Sequence, residues 1–346
     1  MKGDGIKPKV KPTLRDIAND TGLSISTVSR VLSRSNRTYS KNESKILESA
    51  KKLRYPFIQN NHFGESGQSN KIALVTELFE GEFYSSLFNG FYHASIETDS
   101  EVIFVDLAKH SDNFIEYIAE LTHSFSGICL FLPELVKEEY NKIKQMVGEY
   151  PILSLAPIKN PKIDTVTFDS YGGGYMVAKH FQELGYKKFG IITGPSNKVE
   201  ALFRKNGYID HINEMDELEL VWSYQGDYSI KMGMEAFDDF SAKNLKDVAI
   251  FGSNDHACFG FLKKAIQSGY AIPDDFIISG YDDLSFCDTF IPELTSIATN
   301  FFELGKTAIR IIEKKVQGEN DSYGHIFSIP VSIKKRTSTI GNDYNN

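Results

Sequence analysis

The chain has 346 residues, 41% of them hydrophobic and 24% charged, with a net charge of −8. That length suits two or three domains of about 100–200 residues, and the composition is that of a folded chain rather than a disordered one. No apolar run approaches the roughly 18 residues of a membrane span, and Met1 to Lys11 is basic and polar, so neither a membrane protein nor a secretory signal is expected.

The charge is unevenly distributed. Residues 1–60 hold 13 Lys and Arg against 5 Asp and Glu, which leaves 25 basic and 41 acidic residues for the remainder. A small cationic head on a large anionic body points to a polyanion held by the head alone; a solvated basic helix pair is the plainer alternative. Cys129, Cys258 and Cys287 lie far apart with no C-x-x-C pair, which argues for reduced, buried thiols in a cytoplasmic protein and against a disulfide framework or zinc site.

Three short helices are expected in the head. Thr13 and Asp16 make a capping box for a helix from Leu14 to Asp20. Gly22 breaks it, Ser24 caps a second helix from Ile25 to Leu32, and Ser40 caps a third over Lys41 to Leu53. Two helices joined by Thr21-Gly22-Leu23 form a helix-turn-helix, whose second member lies in the major groove of DNA. Its first turn carries Ile25, Ser26 and Thr27, with Arg30 a turn further on. Arg30 is suited to a bidentate bond with guanine and Ile25 to a thymine methyl, while Thr13, Ser24, Ser29 and Arg34 are suited to phosphates. An ordinary three-helix bundle with exposed hydroxyls is the competing reading.

Residues 59–70 read as a linker rich in Asn, Gly and Ser, followed by a body of 71–340 and a tail of 341–346. In the body, apolar runs alternate with amphipathic stretches, the pattern of parallel α/β architecture. Strands are expected at Ile72–Val75, Val102–Val105, Gly127–Phe131, Ile152–Leu155, Thr165–Phe168, Phe189–Ile192, Val248–Phe251 and Phe276–Ser279. Helices are expected at Tyr84–Glu97, Glu138–Val147, Tyr171–Leu184, Ala201–Asn213, Ser229–Phe240 and His256–Gln267. So many βα units divide into two lobes, which face each other across a ligand cleft at the carboxyl ends of their strands.

Thr13-Leu-Arg-Asp-Ile-Ala18 and Thr21-Gly-Leu-Ser-Ile-Ser-Thr-Val-Ser-Arg-Val-Leu32 resemble the DNA-binding domain of the LacI/GalR family of bacterial transcriptional regulators. The body resembles that family's periplasmic-binding-protein-like effector domain at Phe168-Asp169, Gly172-Gly-Gly174, Leu184-Gly-Tyr186, Arg204-x-x-Gly207, Ser253-Asn-Asp255, Gly280-Tyr-Asp-Asp283 and Pro292-Glu-Leu-Thr295. The implied fold is an all-α helix-turn-helix head (1–58) joined to two parallel-sheet, Rossmann-like lobes. The implied function is a sequence-specific DNA-binding repressor, a homodimer, whose operator affinity is controlled by a small sugar-like effector.

Carried across by position, the resemblance implies effector contacts from Phe83, Tyr84, Asp169, Arg204, Tyr228, Asn254, Asp282 and Thr299. A strand-end Asp also serves as a helix N-cap, and Phe83 or Tyr84 also suits the core. The family's minor-groove hinge helix is not matched: the linker offers only Ile58 or Phe63 as an apolar wedge. Glu80-Gly81-Glu82 replaces the usual Asn-Pro beside the aromatic pair, which weighs against a strongly anionic effector. No leucine heptad follows Ser338, so a dimer is expected rather than a tetramer.

No G-x-G-x-x-G, Walker A, G-x-S-x-G or H-E-x-x-H pattern occurs, and the eight histidines show no metal-ligand spacing. Neither an enzyme nor a cofactor or metal site is expected; Asp169 or Asp282 would have to supply a base if one existed. Alternatives to the sugar effector are a purine-type effector and a phosphocarrier-protein corepressor.

Overall fold

The computed structural model describes residues 13–32, 42–53, 70–77, 82–319 and 324–340. Arg34, the cap at Ser40, the candidate wedges Ile58 and Phe63, and the tail 341–346 lie outside the described residues, as does the side chain of Arg30. The chain divides into two units, Met1–Gly64 and Glu65–Asn346.

In the first unit, α1 runs Leu14–Thr21, α2 Ile25–Leu32 and α3 Glu43–Lys52. The carboxylate of Asp16 accepts from both the N–H (2.6 Å) and the hydroxyl (2.8 Å) of Thr13, which ties down the start of α1. Gly22 ends it at φ 69°, a left-handed conformation that a side chain resists. Ile17, Ala18, Val28, Ile46 and Ala50 form the buried core, one apolar stripe from each helix.

The second unit carries two six-stranded sheets. The first has the order β11-β5-β4-β3-β1-β2, from β1 (Asn70–Thr76), β2 (Ser100–Asp106), β3 (Gly127–Phe131), β4 (Ile152–Ser154), β5 (Asp164–Phe168) and β11 (Ile326–Ile329). The second has the order β12-β10-β9-β8-β6-β7, from β6 (Lys188–Thr193), β7 (Glu219–Gln225), β8 (Val248–Gly252), β9 (Ile277–Asp282), β10 (Thr295–Ala298) and β12 (Ser332–Lys334). All pairings are parallel except that of β10 with β12.

Helices cover both faces. In the first lobe these are α4 (Phe83–Thr98), α5 (Phe114–Leu121), α6 (Lys137–Val147) and α11 (Phe301–Val316); in the second they are α7 (Ser170–Glu183), α8 (Val199–Asn213), α9 (Ile230–Ala242) and α10 (Asp255–Gln267). Alternate residues of β1 enter opposite cores, Ile72 and Leu74 facing α4 and α11, Ala73 and Val75 facing α5 and α6. Among the described residues the chain passes between the lobes three times: from β5 to α7, from β10 to α11, and from β11 to β12.

Two elements differ from expectation in ways that matter for the site. The strand expected to end at Ser279 runs on through Gly280-Tyr-Asp282, because β10 pairs alongside β9 as far as Asp282. The edge strand β7 was not anticipated, since its mixed exposure lacks a clean buried run. Glycines set the spacing of α7 on α8. A Cβ at Gly174 would meet the backbone O of Arg204 at 2.0 Å, and one at Gly207 the backbone O of Tyr171 at 1.9 Å. That close approach carries Arg204 to the cleft.

Candidate functional site

The two lobes enclose a cleft of about 600 Å³, within the range of about 300–1,000 Å³ usual for small-molecule sites. Its walls differ in kind. The first lobe contributes Phe83, Phe131, Pro133, Leu155, Phe168, Phe301 and Leu304, while the second contributes Glu200, Arg204, Tyr228, Asn254, His256 and Asp282.

The aromatic wall is assembled from separate elements. Phe83 opens α4 and stacks on Phe301, which opens α11, at 4.7 Å between ring centroids. Phe168, at the end of β5, meets Phe301 edge-on at 4.9 Å, and Phe131, at the end of β3, meets Phe83 edge-on at 5.9 Å. Offset and edge-on rings hold one another beyond simple burial.

The polar wall centres on Arg204. Its Nη1 donates to the carbonyl of Ser253 (2.6 Å) and its Nη2 to Oδ1 of Asp282 (3.1 Å), and its guanidinium lies 3.7 Å from the ring centroid of Tyr281. Nε of Arg204 is buried without a partner, as is the hydroxyl of Tyr228. Burial raises the pKa of Asp282 and the charge of Arg204 opposes that shift. Behind it, Asp255 accepts from Ser296 Oγ (2.6 Å) and from the Leu284 N–H (2.9 Å); burial first, then the charge of Asp282, pushes it well above the ordinary carboxylate range. Tyr228 and Asp282 hold φ of 73° and 110°, strained conformations costing about 1–3 kcal/mol each that persist where the surroundings enforce them. For Tyr228 the enforcement is a hydrogen bond from Asn254 Nδ2 to its carbonyl (2.9 Å).

Phe83, Arg204, Tyr228, Asn254 and Asp282 therefore line the cleft together, and Tyr84, Asp169 and Thr299 do not. Tyr84 follows Phe83 by one helical position, about 100° round the axis, so it enters the first lobe's core. Asp169 caps α7 by accepting from the Gly172 N–H at 2.8 Å. Thr299 donates to the carbonyl of Asp282 at 3.1 Å and so supports the site from behind. Asn254 serves doubly: it lines the cleft and caps α10 by accepting from the Ala257 N–H.

Several lining residues had no sequence signal of their own. Phe131 and Phe301 look like core residues in any local window, and Glu200 like a solvated charge. Among the described residues, Glu82 and Lys198 join the lobes at the cleft. Glu82 Oε2 accepts from the Ser285 N–H (3.1 Å), and Lys198 Nζ donates to the carbonyl of Pro133 (3.0 Å) and pairs with Glu134. The hydrogen bonds from Ser285 hold Glu82 below its ordinary range.

In the head, Ile25 is 43% exposed at the start of α2, beside exposed Ser24 and Ser26. Ser24 Oγ accepts from the Thr27 N–H (3.1 Å) and lies within hydrogen-bond distance of the Ser26 and Thr27 hydroxyls. It is thus the cap of α2. Thr13 is exposed and Ser29 half-buried. Among the described residues there is no cluster of His, Cys, Asp and Glu able to hold a metal, and no helix is long and apolar enough to cross a membrane.

Two family profiles match the chain: "Bacterial regulatory proteins, lacI family" over residues 13–56 and "Periplasmic binding protein-like domain" over residues 178–339. The HTH-type transcriptional repressor PurR of Mannheimia succiniciproducens is 24% identical over 307 residues, covering 88% of this chain and 92% of the relative. The lac repressor dimer bound to operator and the anti-inducer ONPF superposes with a TM-score of 0.70 at 22% identity, over 95% of this chain and 99% of that one. The complex of the transcriptional regulator CelR with cellobiose superposes at 0.69 and 21% identity, over 95% of this chain and all of the other. These relatives are transcriptional regulators rather than enzymes. The first unit thus matches the DNA-binding region of the lacI family of bacterial regulatory proteins, the second carries a periplasmic-binding-protein-like domain, and transcriptional repressors align along most of the chain.

Proposed function

We propose that this regulator is a homodimeric repressor of a carbohydrate-utilisation operon, whose operator affinity is set by a small sugar-like ligand in the cleft. The observation that carries the reading is a cleft with one aromatic and one hydrogen-bonding wall in the same chain as a helix-turn-helix head. Ring faces suit the C–H face of a sugar, while Arg204, Asn254 and Asp282 suit its hydroxyls. In the head, α2 lies in the major groove. Ile25, Ser26, Thr27 and Arg30 face base edges, and Thr13, Ser24, Ser29 and Arg34 face phosphates.

Two heads on successive turns of a pseudo-palindromic site stand about 34–36 Å apart, and closure of the lobes alters that separation. The protein then acts in the cytoplasm, where its DNA is. A planar purine-type effector is the second reading, favoured by the stacked pair Phe83 and Phe301.

The test is fluorescence anisotropy on an operator selected from random duplexes, at several salt concentrations, with and without a panel of sugars and purines. Affinity should fall steeply with salt. A bound sugar should change it about 5–150-fold. Ligands that demonstrably bind while leaving DNA affinity unaltered would end this reading.

A further inference from the structure

The charge lining the cleft is unbalanced. Glu82, Glu200 and Asp282 supply three carboxylates, against Arg204 and His256 as the basic side chains among the described lining residues. That guanidinium is already paired with Asp282 and bonded to the carbonyl of Ser253. The excess therefore rests on Glu82 and Glu200, which belong to opposite lobes: Glu82 precedes α4 and Glu200 sits in the first turn of α8.

Glu200 has neither an ion pair nor a side-chain hydrogen bond among the described residues, although it is half-buried. The nearest Lys in sequence, Lys198, is tied to Glu134 and the carbonyl of Pro133. Glu82 accepts from the Ser285 N–H, and the hydrogen bonds from Ser285 hold it in its charged form. Like charges carried by two lobes repel as the lobes approach, and the repulsion strengthens as closure excludes water. A ligand cation between them converts that repulsion into attraction. The aromatic residues Phe83 and Phe301 of the lining suit the apolar side of the same ligand's ring. A phosphorylated ligand meets the reverse situation, an anion placed among uncompensated carboxylates.

Resting on the reading of this cleft as an effector site, we propose that it selects an amine-bearing sugar, an amino sugar or aminocyclitol. The ligand's ammonium group bridges Glu82 of one lobe and Glu200 of the other, with its ring against Phe83 and Phe301. Neutral sugars are weaker ligands and sugar phosphates the weakest. The ammonium also supplies the force that closes the lobes.

The experiment is calorimetric titration of the full-length protein, at slightly acid pH, with D-glucosamine, D-glucose, N-acetyl-D-glucosamine and D-glucose 6-phosphate. D-Glucosamine should bind about tenfold tighter than D-glucose or the N-acetyl sugar, which keeps the ring and loses the charge. Glu200→Gln should bring D-glucosamine to within about twofold of D-glucose, and Glu82→Gln should narrow the gap in the same direction. Because each comparison is made between ligands on one variant, a general loss of stability does not imitate it; melting of the unliganded variants checks folding.

The proposal is overturned if D-glucose, the N-acetyl sugar or the phosphate binds as tightly as D-glucosamine. It is also overturned if the preference survives both substitutions, or if millimolar D-glucosamine does not bind. D-Glucose that binds as tightly as D-glucosamine, and is lost on Arg204→Ala, would overturn amine selection and leave the effector reading standing. Cleft ligands without effect on DNA would remove the effector reading instead.

Discussion

The two walls of the cleft solve the problem of facing a ligand in opposite ways. The first lobe offers aromatic rings that hold one another and carry no charge. The second offers the paired guanidinium of Arg204 and carboxylate of Asp282, with strained backbone at Tyr228 and Asp282. The apolar wall would be stable with no ligand at all. The polar wall is held by its surroundings at a standing cost, the pattern expected where groups are arranged for binding rather than for stability.

The sharpest way to break this comparison is Arg204→Ala. It leaves Asp282 buried without its cation, so we expect a loss of about 3 kcal/mol in urea unfolding together with loss of ligand response. Asp282→Asn should separate the two consequences. The response is lost, yet stability falls far less, because a neutral amide relieves the desolvation that raises the pKa of Asp282. If both variants unfold alike, the polar wall is simply structural. On the other side, Phe301→Ala removes the ring that joins Phe83 to Phe168. Because Phe301 is only half-buried, about 2 kcal/mol is expected rather than the full core value.

Smaller effects sharpen the contrast between groups that bind and groups that merely fold. Ile25→Ala, at an exposed position of α2, should weaken operator binding by about 1 kcal/mol at a thymine position and leave the melting temperature unchanged. Buried His180, whose Nε2 lies 3.0 Å from Thr339 Oγ1, has its pKa lowered by burial from 6.5 to about 4. The unfolded chain therefore takes up a proton that the folded chain refuses, and this residue costs stability as pH falls from about 6.5 to about 4. Asp255 acts with the opposite sign over part of that range, since its folded pKa is raised. The measurement is consequently a difference: His180→Gln should lose less stability on acidification than the parent protein in urea titrations at pH 7 and pH 5.

Much of the candidate site was legible because its residues sit in short, recognisable strings. Arg204-x-x-Gly207 pairs a donor fork with the glycine that lets α8 approach α7, and Gly280-Tyr-Asp282 ends on a cleft residue. The misplacements have local causes. Tyr84 differs from Phe83 only by helical phase, and Asp169 meets the demand of α7 for a capping acceptor. Phe131 and Phe301 could not be singled out, because an apolar residue at an element's end reads the same whether it faces a core or a ligand.

Sequence alone determined what short-range physics controls: the capping box at Thr13, the left-handed stop at Gly22, the alternation of strands and helices, and the contrast between a basic head and an acidic body. Tertiary structure alone decided the cleft. Three crossings between lobes bring the start of α4 against the start of α11, and place Glu82 and Glu200 on one cavity. Such juxtapositions depend on how whole sheets pack and where the chain changes lobe, and no window of neighbouring residues encodes them.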